Sequence, residues 1–494
     1  MNLNNKTSSV LDYNIQALNT MLGKSSDFQI REITLTSIDK QAAVLFIDEI
    51  VDSNSVQQYV IEPLLSYKLP GFQTDVELLS FIELSVIQVK KITRVEDMNL
   101  ASSELLKGKT LVILEGISTF LSTDTTKWNA RSVESPKGQR VAKGPDVGFT
   151  ENRSTNISLV RKIIKNPNVR VSTKQYGTNT HTDVSVMYIE NIVDKQILET
   201  IYKRLENLHL DAVLEANYIE SVLTKESKSF FPLVLNTDRP DVVAAEMLEG
   251  RIAIFVDGSP YILIAPAVLI QFFQTPEDYY FSNTGFINTR LIRFSLFFLS
   301  LYIPGAYVAF MTYHANLLPV KLLVGFVSQR ELVPFPTSLE VTILIIVIIA
   351  INESSTRLQQ NIAVTVSIFG GIILGQSAIE SQLVEPPSLV IVSVTYILVS
   401  VVPIYQLRIT AANITLCFIA GGAALGFYGI ALLSLVLLLH LCSLRSFGVP
   451  YLSPFAPFVA HDLKDSAIQL SLDEMINDES HFTKEENMDE TDEA

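Results

Sequence analysis

Along residues 1–240 the apolar positions come in short runs broken by polar turns, whereas residues 291–441 carry most of the long uncharged runs. The first pattern predicts globular sequence. The second predicts membrane helices, because roughly 20 consecutive apolar residues are needed to cross the hydrocarbon core. Within the globular part, Ala43-Val44-Leu45-Phe46-Ile47-Asp48-Glu49-Ile50-Val51-Asp52 is echoed by Ser185-Val186-Met187-Tyr188-Ile189-Glu190-Asn191-Ile192-Val193-Asp194, at an offset of 142 residues. The same offset aligns Glu104-Leu105-Leu106-Lys107-Gly108 with Glu246-Met247-Leu248-Glu249-Gly250, and Val112-Ile113-Leu114-Glu115-Gly116 with Ile254-Phe255-Val256-Asp257-Gly258. Such self-similarity predicts two related α/β units.

Each copy reads as a buried strand, a polar turn and an amphipathic helix. After the second strand, Ile197, Ile201, Leu205 and Leu208 recur at helical spacing behind Asp194 as N-cap. Each copy closes with a hairpin at Glu115-Gly116 or Asp257-Gly258, both turn pairs between apolar runs. The repeat also decides how residues 252–273 are read. They are apolar enough to be taken for a span, but their counterpart 110–121 is a soluble hairpin, so strands are expected at 252–265, followed by a short amphipathic helix ending near Gln274.

In the apolar half, residues 291–313 form a full span, entered past Arg290 and Arg293, which favour a cytoplasmic start. Residues 341–351 are apolar but about half the needed length, bounded by Glu340 and by Glu353 with Arg357, and read as a half-helix, a re-entrant segment or part of a polar-tipped span. Further spans are expected at 362–379, at 389–405 and at 411–440, the last as one tilted helix or a tight pair broken around Gly426. This gives four to six crossings, with four full spans and a half-length segment preferred. Gly371 and Gly375 have the small-xxx-small spacing of a close helix contact. Glu340, Asn352, Glu353, Arg357, Gln376, Glu380 and Asn413 lie at or near membrane depth and need partners, interfaces or water. A hydrated cation route and a packed bundle both accommodate them.

Charge changes this picture in two places. The net charge is −15, and about ten units of it fall in residues 461–494, which are expected to be a disordered acidic tail. Residues 124–181 carry eleven Lys and Arg against four Asp and Glu. That basic patch reads as a solvated surface or as a contact for anionic lipid or an acidic partner, and not as a nucleic-acid site, since no stacking aromatics are interleaved. No charged start with an apolar core and cleavage site precedes the globular part, so that part is expected to face the cytoplasm. Cys417 and Cys442 both fall in apolar runs and read as core thiols. No metal spacing, nucleophile elbow, Walker loop or dinucleotide fingerprint occurs, so neither an enzyme nor a cofactor is expected.

The stretch Arg140-Val141-Ala142-Lys143-Gly144-Pro145-Asp146-Val147-Gly148-Phe149-Thr150-Glu151, followed by Asn156-Ile157-Ser158-Leu159-Val160-Arg161, resembles the signature of the GerA spore germination family, A subunit. The likeness continues through Val256-Asp257-Gly258-Ser259-Pro260, Pro276-Glu277-Asp278-Tyr279-Tyr280, Pro334-Phe335-Pro336, Gly375-Gln376 and Ser446-Phe447-Gly448-Val449-Pro450-Tyr451, covering about residues 30–460. It implies a multi-pass protein of the spore inner membrane that works with a transporter-like, nutrient-binding B subunit and a lipoprotein C subunit. It also implies a homo-oligomer releasing monovalent cations when the B subunit binds nutrient. At Asn352-Glu353-Ser354-Ser355 the chain departs from the more helix-favouring residues usual in the family.

Read physically, Lys143-Gly144-Pro145 and Gly148 form a tight turn before a helix that bears Asn156, Leu159 and Arg161, with Thr150 as its cap. That turn serves as a structural elbow, a subunit contact or an anion cradle. The domains expected are a flexible N-terminus at 1–30, a first α/β subdomain with linker at 31–150, a second at 151–285, a transmembrane helical domain at 286–460 and the tail at 461–494. Three functions fit this map: a ligand-gated cation channel subunit, a secondary transporter, and a non-conducting scaffold that couples a separate sensor. No inverted repeat in the membrane half supports the transporter.

Overall fold

The computed structural model describes residues 6–68, 72, 74–127, 135–207, 210–225, 229–280, 289–331, 333–357, 362, 364, 368 and 370–458. The expected acidic tail lies outside them, as do residues 363, 365–367 and 369 of the expected span at 362–379. The described residues form two compact units, one from 6–225 and 234–266, the other from 229–233 and 267–458.

The first unit holds two five-stranded antiparallel sheets. One comprises β1 (Phe28–Leu35), β2 (Lys40–Ile47), β3 (Ile92–Val95), β4 (Thr110–Leu114) and β5 (Phe120–Thr123); the other comprises β6 (Val169–Tyr176), β7 (Thr182–Ile189), β8 (Leu235–Thr237), β9 (Ile252–Val256) and β10 (Ile262–Ala265). Their spatial orders, β1-β2-β4-β5-β3 and β6-β7-β9-β10-β8, are the same permutation. Registers agree as well: Ala42 faces Leu114 where Val184 faces Val256, and Thr110 faces Thr123 where Ile252 faces Ala265. The duplication seen in the sequence is therefore a duplication of fold.

Successive strand residues point to opposite faces, and helices cover both, so the central strands read as continuous apolar runs. On one face of the first sheet, Ala42, Val44 and Val112 pack under Val60, Leu64 and Leu79, and on the other Ala43, Leu45 and Ile113 pack under Leu18, Ala101 and Leu105. Leu18 belongs to α1 (Leu11–Met21), and Ala101 and Leu105 to α2 (Met98–Leu106). The segment 1–30, expected to be flexible, thus contributes a core helix. Burial of an apolar side chain of leucine size favours folding by about 1.5–3 kcal/mol, which is enough to order a helix with three such anchors, Leu11, Ile15 and Leu18.

The turns repeat their backbone chemistry. Gly108 and Gly250 have φ of 82° and 89°, and Gly116 and Gly258 have 84° and 85°, each pair 142 residues apart. A side chain in this region costs about 1–2 kcal/mol. A Cβ on Gly108 also falls 2.8 Å from the Ile50 carbonyl oxygen, whereas on Gly116 it meets only the far ends of Lys40 and Asp75. Gly108→Ala is accordingly expected to lower the melting temperature more than Gly116→Ala; equal losses would show that φ alone decides.

A buried ion pair is duplicated too, since Glu104 bonds Lys109 and, at the same offset, Glu246 bonds Arg251. Burial opposes ionisation of Glu104, but hydrogen bonds and charge from Lys109 and Lys107 prevail and hold its carboxyl below the ordinary range. A depressed carboxyl stabilises the fold above its unfolded value, near about pH 4.3, and that share is lost as pH falls through the folded value. Glu104→Gln should therefore flatten the acid limb of the stability profile; an unchanged limb would contradict the pairing.

After β10 the expected amphipathic helix is instead a 3-10 turn, Leu269–Phe273, whose five residues are all buried. It belongs to the second unit, so the unit boundary falls at 266/267 and not at 285/286. The cause is hydrogen bonding: Ala267 N donates to Ser446 Oγ at 3.0 Å, and Leu269 N to the Tyr451 carbonyl at 2.8 Å.

Three further helices of the first unit matter below: α3 (Arg153–Ile163), α4 (Lys195–Glu206) and α5 (Pro240–Leu248). Asp194 caps α4 through the Gln196 and Ile197 amides, as expected. The second unit is a helical bundle of α6 (Thr289–Thr312), α7 (Val320–Arg330), α8 (Thr337–Arg357), α9 (Pro386–Ser400), α10 (Tyr405–Leu425) and α11 (Phe427–Ser443), with a short helix at Gly375–Glu380. Among the described residues, α6, α10 and the Thr337–Ser354 part of α8 are long and apolar enough to cross a membrane, and α9 and α11 are shorter apolar helices.

Of the three readings open for residues 341–351, the structure has the polar-tipped helix. Glu340 sits in its first turn, and Glu353 pairs with Arg357 one turn later, so the polar residues end the apolar run without ending the helix. The expected span at 389–405 is the 15-residue α9, because Tyr405 already begins the next helix. The run at 411–440 is a tight pair hinged at Gly426, whose φ of 61° and ψ of −139° suit glycine alone.

Candidate functional site

Within the bundle, polar side chains converge where α8 and α9 begin and α6 nears its end. Glu340 and Glu385 are 2% and 0% exposed. Glu385 is the N-cap residue of α9, ahead of Pro386 and Pro387, and its backbone N–H donates to the Glu340 carboxylate. Tyr307 of α6 donates its hydroxyl proton to Glu385 Oε2 at 3.2 Å, and the Ser388 hydroxyl lies 3.2 Å from the Tyr307 oxygen. Both carboxylates stand at helix N-termini, where the macrodipole favours negative charge. Glu340 was anticipated in the sequence. Glu385, Tyr307 and Ser388 were not; a lone acid just before Pro-Pro at the edge of an apolar run was the available signal.

The other polar residues expected at membrane depth are not gathered here. Asn352 accepts a hydrogen bond from the Tyr396 hydroxyl at 2.7 Å, linking α8 to α9. Glu353 and Arg357 form an exposed i,i+4 pair, a kind worth little in stability. Gln376 and Glu380 are exposed on the short helix. Gly371 is exposed, and among the described residues a Cβ there meets nothing within 4 Å, while one on Gly375 would touch Leu389 at 3.4 Å. The close helix approach within the chain lies elsewhere. A Cβ on Gly305 of α6 would sit 2.7 Å from the Phe418 carbonyl oxygen of α10, and one on Gly422 of α10 would sit 2.5 Å from the Gly305 oxygen.

In the first unit the signature stretch forms a seam. Gly144 has φ of 134°, the Pro145 carbonyl accepts Arg239 Nη2 at 2.9 Å, and Phe149 N donates to the Asp238 carbonyl at 2.8 Å. Lys143 and Gly144 are exposed, and Gly148 is buried. Asn156 closes the elbow on itself, since its Nδ2 donates to the Thr150 carbonyl at 2.6 Å and its Oδ1 accepts the Thr150 N–H at 2.8 Å. The helix cap is Asn152, which accepts the Thr155 N–H at 2.8 Å, and not Thr150 as expected. The hairpin turn joins this elbow: Asp257 accepts the Arg153 N–H at 3.2 Å, and Gly258 N donates to the Glu151 carbonyl at 2.9 Å.

One turn from the end of α3, Arg161 reaches the first sheet. Its Nε and Nη2 bond Asp27 Oδ2 and Oδ1 at 2.6 and 2.9 Å, and Nη2 also meets Ser25 Oγ at 3.1 Å. Ser26 N donates to the Val171 carbonyl of β6 at 2.9 Å, so the two sheets are joined through backbone and charge together.

At the start of α6, Asp278 takes the Thr275 N–H at 3.0 Å, Arg290 Nε at 3.1 Å and a further bond from Arg293. Burial raises its cost of ionising, but the two guanidinium groups and the amide outweigh this and hold the carboxyl below its usual range. Among the described residues no group of three or more His, Cys, Asp or Glu side chains is placed to hold a metal ion.

A family model described as "Bacillus/Clostridium GerA spore germination protein" matches residues 16–481. Spore germination protein KA of Bacillus subtilis (strain 168) is 38% identical over 458 residues, covering 92% of this chain and 84% of that protein. Spore germination protein GerLA of Bacillus cereus is 32% identical over 451 residues, with 91% of each chain covered. Among solved structures, the N-terminal domain of the A subunit of the Bacillus megaterium spore germinant receptor GerK3 matches at 33% identity and a TM-score of 0.41, covering 53% of this chain and 97% of that one.

Proposed function

The chain belongs to the GerA spore germination family, and on that premise we propose that it is the A-type membrane subunit of a nutrient receptor that triggers germination. In this reading it oligomerises in the spore inner membrane with its duplicated α/β unit facing the spore core. A transporter-like B subunit senses the nutrient, a lipoprotein C subunit accompanies it, and the A subunits open a path for monovalent cations. The observation that carries the reading is the buried Glu340–Glu385 cluster inside a bundle of apolar helices, because carboxylates kept buried among such helices mark ion pathways.

Nutrient-triggered potassium release from spores tests it. Glu340→Gln is expected to slow release about tenfold, equivalent to roughly 1.4 kcal/mol on the rate-limiting barrier. Glu380→Gln, on an exposed helix, is expected to change release more mildly. Release at the wild-type rate in both variants would remove the acidic groups from the route and favour the scaffold.

A further inference from the structure

We infer that Glu340, Glu385 and Thr337 form a binding site for one monovalent alkali cation, held where α6, α8 and α9 meet. Buried oxygens at this junction lack partners among the described residues. Glu340 Oε2 and Glu385 Oε1 are buried and have no hydrogen-bond partner among the described residues. Thr337 is 0% exposed, lies one helical turn before Glu340 on the same face, and its hydroxyl oxygen also has no partner. Three oxygens, two of them from carboxyl groups, are thus buried without a partner among the described residues. Leaving a buried carboxylate uncompensated costs several kcal/mol, so a cluster of this kind takes up a positive charge, as a proton or as a bound cation.

The protein does not supply that charge in full. Arg330 is the basic residue whose field reaches both carboxylates, but its Nη1 is committed to the Met311 carbonyl at 2.9 Å, and it makes an ion pair with neither. Tyr307 and Ser388 add hydroxyl oxygens and no charge. With both carboxyls ionised, two carboxylates against one guanidinium leave a single unit of negative charge. A potassium or sodium ion cancels it, whereas a divalent ion overshoots. The ligand set is all oxygen, as hard cations require.

The role of this site in conduction rests on the function proposed above; its occupancy does not. Melting of the purified full-length chain in lipid nanodiscs, titrated with potassium or sodium against N-methylglucamine, reads occupancy directly. The melting temperature is expected to rise saturably with either alkali ion, since whatever binds only the native state stabilises it. Glu340→Gln and Glu385→Gln should each raise the half-saturating concentration about tenfold or more, the effect of losing one charged ligand. Should the glutamine variants fail to fold, Thr337→Val, which keeps the side-chain volume, should still weaken the response.

No alkali-ion response in the wild type, an undiminished response in the variants, or a stronger response to calcium at matched ionic strength would each overturn the assignment. A saturable response in a chain that passes no current would overturn the channel and leave the site. Current without the response would do the reverse.

Discussion

Arg161→Ala is expected to destabilise the soluble unit by about 3–5 kcal/mol, because it strands a buried carboxylate. Asp27 and Arg161 side chains are 1% and 2% exposed, and the guanidinium forks onto both carboxylate oxygens. Removing it leaves Asp27 facing protein with no counter-charge, and removes the side chain that fastens α3 of the second repeat to the entry of β1 in the first. Chemical denaturation of the full chain should show an earlier transition for the soluble unit and faster proteolysis between the repeats. The double variant Asp27→Leu with Arg161→Met should recover much of the loss, since two apolar groups of similar volume often replace a buried pair without penalty. A single-variant loss below about 1 kcal/mol would mean that the seam is held by the backbone bonds from Ser26 and Val171 alone.

Gly422→Leu is the second large effect, and it acts on the bundle. The Cβ that any other residue carries would lie 2.5 Å from the Gly305 carbonyl oxygen, on a helix whose own Gly305 is equally tight against Phe418. Both obstacles are backbone atoms of packed helices and neither can rotate away. Overpacking of this kind costs roughly 1–3 kcal/mol and often more where backbones must part. The variant is expected to lose its monodisperse peak on a detergent sizing column, with Gly422→Ala intermediate. Gly371→Leu makes the instructive contrast: a Cβ there meets nothing within 4 Å among the described residues. It should leave the protomer folded and lower only the oligomer size, since its small-xxx-small face is available to a neighbouring copy. A protomer that unfolds with Gly371→Leu would contradict that placement, and an unchanged oligomer would remove Gly371 from the interface.

The soluble unit was legible in the sequence because its signals are local and repeated. Strand runs, Asp-Gly and Glu-Gly turns and the offset of 142 residues all lie within a few positions of one another in each copy, and the fold reproduces them register by register. The helix at Leu11–Met21 stands in a polar surrounding that masks the helical spacing of its anchors Leu11, Ile15 and Leu18. The bundle was less legible. Glu340, Asn352, Glu353 and Arg357 broke the apolar run, yet the helix continues through all four, with Glu340 buried at its start and Asn352 bonded to Tyr396. The contact of Gly305 with Gly422 joins helices more than a hundred residues apart, and no local spacing announces it. Glu385 escaped notice for a related reason. It stands outside the apolar windows and becomes a buried carboxylate only when α9 folds beside α8.

Single-channel recording of the purified full-length chain in a planar bilayer tests the central claim most directly. The account predicts discrete potassium and sodium currents, little chloride current, and a conductance reduced in Glu340→Gln at unchanged oligomer size. A correctly assembled oligomer that stays electrically silent, both alone and with its nutrient-sensing partner and nutrient, would contradict it.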